Sequence, residues 1–126
     1  MTSDFVALVR HRPEISTVID GLIAFGESLE PYDAGDGAFH LYDAGGRLAV
    51  SIESPQLVEV RGEVERLLGP ELAGRVRVPV WWVEVRAAAG VPEAMRIARR
   101  FADDLVHWQG GTVWPESATP PVKESP

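Results

Sequence analysis

The sequence predicts an α+β domain: a single mixed or largely antiparallel β-sheet with helices packed on one face. Three observations lead there. The apolar period switches between two and 3.6 along the chain, so strands and helices are interleaved. "FHLYDAGGRLAVSIES" holds two alternating runs joined by a glycine-rich turn, the pattern of a β-hairpin. "VPVWWVEVRAAAG" reads as a strand that feeds a strongly amphipathic helix.

Taken in order, "FVALVR" is a short run of strand formers ended by charge and Pro13. Ile15, Val18, Ile19, Leu22 and Ile23 then fall on one helical face, with Pro13 suited to the first turn and Gly26 near the end. "EPYDAGDGA" (30–38) reads as a loop by composition. The hairpin follows, with Phe39 and Leu41 on one face of its first arm and Leu48, Val50 and Ile52 on one face of its second. His40, Tyr42 and Ser51 take the opposite face. "PQLVEVRGEVERLLG" is ambiguous, because β-branched residues and Gly62 argue against one continuous helix. A strand over 57–60 and a helix over 63–68, stopped by Gly69-Pro70, fit it best. The tryptophan strand covers 78–88. In the next helix Ala94, Ile97, Ala98, Phe101, Leu105 and Trp108 line one stripe, and Gly110-Gly111 cap its end. "TVW" can add a last short strand. The order is β-α-β-β-(β-α)-β-α-β, one domain over 1–114 with a Pro/Ser-rich tail over 115–126.

Composition excludes several function classes. A formal charge of −7 argues against polyanion partners, and Arg96, Arg99 and Arg100 are followed at once by Asp103 and Asp104. No nucleic-acid partner is expected. There is no cysteine, hence no disulfide or thiolate chemistry. The apolar run before Arg10 is too short for a signal core, and no stretch is long enough to span a bilayer, so a cytoplasmic protein without membrane insertion is expected. Eleven arginines against one lysine, with abundant Ala, Gly and Val, point to a GC-rich gene.

Catalytic and cofactor motifs are wanting. His11, His40 and His107 sit at no zinc-binding spacing, and His11 and His107 read as strand-end and helix-end residues. "DAGDGAFHLYDA" departs from a calcium loop, with Gly35 at its third position and Ala44 at its twelfth. Neither a dinucleotide fingerprint nor a P-loop is present. No cofactor and no catalytic residue are assigned. His40 and Ser51 could meet across the hairpin near Glu53 or Glu84, which keeps a small enzyme or ligand-binding domain as the alternative, although strand alternation alone produces such pairs.

The sharper question is Trp82. Adjacent strand residues point to opposite faces, so with Trp81, Val83, Val85 and Ala87 forming the apolar row, Trp82 looks away beside Glu84 and Arg86. That face would carry His40, Tyr42, Ser51, Trp82, Glu84 and Arg86. Tryptophan, tyrosine and arginine are the types enriched at interaction hot spots. The expected role is a protein-binding or accessory module, its partner another protein or a second copy of this chain. The plainer alternatives are that Trp82 is covered by the 63–68 segment or the tail, or pairs with Tyr42.

From "SPQLVEV", "ERLLG", "VWWVEVRA" and the closing "GGTVWP", within 52–115, the chain resembles an uncharacterised actinobacterial family. Some of its members are encoded with type VII secretion components. The resemblance implies a secretion-associated context and carries no catalytic motif onto these positions.

Overall fold

The computed structural model describes residues 3–74 and 76–115. Among them are β1 (Ser3–Val9), α1 (Ile15–Ala24), β2 (Glu30–Gly35), β3 (Ala38–Tyr42), β4 (Leu48–Ile52), β5 (Gln56–Val58), α2 (Arg61–Leu68), α3 (Pro70–Ala73), β6 (Val80–Ala87), α4 (Ala94–Gln109) and β7 (Gly111–Trp114). All strands join one α+β sheet in the order β2-β3-β4-β6-β1-β7, with β5 also paired to β6. Every pairing is antiparallel. β4 and β5 lie along the same edge of β6, Ile52 opposite Val85 and Gln56 opposite Trp82. They act as one long strand interrupted at Ser54-Pro55. The expected tail lies outside the described residues from 116 on.

The segment 30–38, expected as a loop, is a strand over most of its length. Its composition is poor for a strand, and all six residues of β2 are exposed. β2 survives because it is an edge strand, where Pro31 lacks a donor only at one ladder position and β3 supplies the pairing. Asp36-Gly37 makes the two-residue turn, both residues at positive φ, 54° and 83°. That Asp-Gly pair is the local signal that marks the hairpin.

The helices do not all share one face. α1 and α4 cover the face that holds Phe5, Ala7, Val9, Val83, Val85 and Ala87. The 61–73 segment crosses to the other face, where Val64 and Ala73 pack with Val6, Leu8, Val76 and Val80. The expectation of helices on one face therefore holds for α1 and α4 and is corrected for α2 and α3. β1 requires this: it lies between β6 and β7, and its apolar residues are buried on both faces.

The turns follow local chemistry. Asp43 Oδ1 accepts from the Gly45 and Arg47 N–H groups, and Arg47 Nε donates to Asp43 Oδ2. The Arg47 N–H, then its guanidinium, hold the Asp43 carboxyl below its ordinary pKa. Gly110 caps α4 with φ 74° and its N–H on the Val106 carbonyl. Gly111, opposite Val9, comes so close to β1 that a Cβ there would lie 1.9 Å from the Leu8 carbonyl oxygen.

Candidate binding surfaces

The face opposite α1 and α4 is half covered. Trp82 does point away from Trp81, as strand alternation requires, and it packs against the cluster of Val6, Leu8 and Val64. The side chain is half-buried against this cluster, to which the 61–73 segment contributes Val64 and Ala73, so Trp82 is not the free aromatic anchor that strand alternation alone suggests. One edge remains accessible and borders, with Glu53, Gln56 and Glu84, an open concavity of about 260 Å³.

The uncovered half of this face is polar. Tyr32, His40, Ser51, Arg86 and Asp4 stand in one cross-strand row set by the register. Tyr32 stacks on His40 with ring centroids 6.4 Å apart. Glu84 lies one row further on and reaches Arg86 Nη2 at 3.7 Å. Of the six residues singled out in the sequence, the fold thus gathers His40, Ser51, Glu84 and Arg86. Tyr42 lies at the far end, bordering a cavity at the Asp43 turn. The register puts it level with Ala88, about 20 Å along the strands from Trp82, so those two rings form no pair. His40 faces Ser51 in register, but among the described residues no hydrogen bond joins them and no carboxylate is bonded to His40. A general base needs such a contact to its nucleophile. Among the described residues no group of three His, Asp or Glu side chains is placed to hold a metal ion.

The strongest apolar surface lies on the opposite side of the molecule. α1 and α4 run antiparallel over the sheet and are pinned at both ends. Gln109 accepts from the Glu14 N–H at 2.8 Å and donates to the Arg12 carbonyl at 2.7 Å. At the other end Glu27 accepts two bonds from Arg96, 2.7 and 3.0 Å, and one from Arg100 at 3.3 Å. Hydrogen bonding by Arg96, followed by the charges of Arg96 and Arg100, overcomes burial and lowers the Glu27 pKa.

Between these pins a groove of about 230 Å³ opens, floored by Val18 and Gly21 and flanked by Phe25 and Trp108. Phe25 is 82% exposed and Trp108 78%. Trp108 was expected in the buried stripe of α4. At 100° per residue it shares nearly the azimuth of Ile97, which is only 6% exposed. The difference is axial: the buried residues of α4 end with Leu105, and Trp108 lies beyond it in the last turn. Phe25, the C-cap residue of α1, escapes burial at the opposite end. Periodicity reports azimuth alone, so neither residue could be placed from it.

A fourth concavity, about 330 Å³, sits beside the start of α1 with Trp81 in its wall and the Arg12 guanidinium 5.5 Å from the Trp81 ring. Arg12, Glu14 and Asp36 line it, a mixed set that favours no one ligand charge. No helix among the described residues is long and apolar enough to cross a membrane. In comparison with known proteins, no family, no curated protein and no solved structure matches this chain.

Proposed function

We propose that this domain is a cytoplasmic protein-binding or accessory module that acts by docking and not by catalysis. One observation carries the reading: the two most exposed aromatics among the described residues, Phe25 and Trp108, flank a single apolar-floored groove. Burying two such rings removes several hundred Å² from water, about 150–250 Å² each. At about 25 cal/mol per Å² the gain is sizeable before the costs of association. Tryptophan is also the type most enriched among hot-spot residues. The sheet face that runs from Trp82 and Glu84 to Arg86, Ser51 and His40 is a second, more polar surface suited to the rim of a larger contact. The resemblance to an uncharacterised actinobacterial family, some of whose members are encoded with type VII secretion components, supports a secretion-associated setting for such a module.

Site-specific photocrosslinking in the native host tests this reading. A crosslinkable residue at position 108 should yield one recurrent protein adduct, and one at Ser51 should yield it weakly. Adducts only from the Ser51 position would move the function to the sheet face. A phenotype lost in Ser51→Ala but kept in Trp108→Ala would favour the enzyme alternative and defeat the docking reading.

A further inference from the structure

We infer that the α1–α4 groove takes a short segment of another protein, carrying one apolar anchor side chain flanked by lysine or arginine. The inference rests on the docking reading above and adds the chemistry of the partner.

The floor fixes the anchor. Gly21 lies inside α1, and a Cβ there would meet nothing within 4 Å. Its φ is not in the positive range, so neither packing nor backbone conformation within the domain requires glycine. Glycine is a poor residue for a helix interior. Its one structural effect here is to leave the groove floor open between Val18 and Phe25, where an incoming side chain can sit. From Glu14 to Phe25 the helix rises about 16 Å, room for roughly three turns of a docked helix or a few extended residues.

The rim fixes the charge. Among the described residues the charged side chains that line the groove are Glu14 and Asp104, both acidic. Nearby cations among the described residues are already engaged: Arg96 and Arg100 with Glu27, Arg99 with Asp103, and Arg12 over the Trp81 ring. Among the described residues Asp104 makes one ion pair, a long 3.8 Å contact with Arg100. A second copy of this chain would bring the same acidic rim and a further formal charge of −7, which opposes self-association. A basic-flanked segment meets complementary charge instead.

The test is selection from a randomised peptide library displayed on phage, against the full chain and, in parallel, against Trp108→Ala. Enriched sequences retained only by the unmodified chain should pair an aromatic or aliphatic residue with neighbouring Lys or Arg. A selected peptide should lose about tenfold in affinity to Glu14→Gln/Asp104→Asn and weaken as salt rises. Gly21→Ala should raise the melting temperature and still weaken the peptide, a combination that mere misfolding cannot produce. Trp108-dependent sequences without a basic bias would overturn the basic partner and leave the docking reading intact. No Trp108-dependent enrichment would overturn both. A dimer seen by sedimentation and lost in Trp108→Ala would make a second copy the occupant and refute the inference.

Discussion

Gly111→Ala should be among the most damaging conservative substitutions in this chain. An alanine Cβ would lie 1.9 Å from the Leu8 carbonyl oxygen and 2.9 Å from its carbonyl carbon, both backbone atoms that cannot rotate aside. The φ of 148° adds strain of about 1–3 kcal/mol for any residue with a Cβ. Relief requires β7 to move off β1, weakening the ladder at Val9↔Gly111 at about 1 kcal/mol per hydrogen bond. It also exposes part of Val113, whose full burial is worth about 1.5–3 kcal/mol. Together these give a loss of about 3–5 kcal/mol. Total stability for 126 residues is about 6–19 kcal/mol, so the loss is a large fraction. Urea denaturation followed by tryptophan fluorescence measures it. Gly21→Ala is the control: with open space at its Cβ position it should stabilise by about 0.5–1 kcal/mol. A loss below about 1 kcal/mol for Gly111→Ala would mean that β7 does not pair with β1 in this register.

Two further outcomes follow from the packing and the charges. Trp82→Ala should cost about 2–3 kcal/mol, below the range for a fully buried ring, and should speed amide exchange in α2 before the rest of the domain; unchanged exchange in α2 would mean that the cluster joining Val64 to the sheet does not depend on Trp82. Glu27, with its pKa lowered by Arg96 and Arg100, contributes stability that is present above its unfolded pKa and lost as pH falls through the folded one. The melting temperature should therefore drop more steeply on acidification for the unmodified chain than for Glu27→Gln, and parallel pH profiles would count against the pin between α1 and α4.

Much of the architecture was legible in the chain itself, because it is written in short-range periodicity. Ile15, Val18, Ile19 and Leu22 repeat every 3.6 residues and are buried together under α1. Trp81, Val83, Val85 and Ala87 alternate and share the larger core. Asp43 to Arg47 form the turn that their composition demands. β2 is hidden by the loop-like composition of 30–38, although the Asp36-Gly37 pair carries its turn. Of the candidate site, the sequence determined the face: His40, Ser51, Glu84 and Arg86 stand on the side opposite Trp81. What covers that face is a long-range matter. The unbroken run Phe5 to Val9 implies burial on both sides of β1, and hence a cover near Leu8's neighbour Trp82, but only the path of 61–73 shows which segment supplies it. Exposure of Phe25 and Trp108 is likewise set by where each helix ends relative to the layer beneath it. Local sequence dictates the direction in which a side chain points; the tertiary structure decides whether anything is there to meet it.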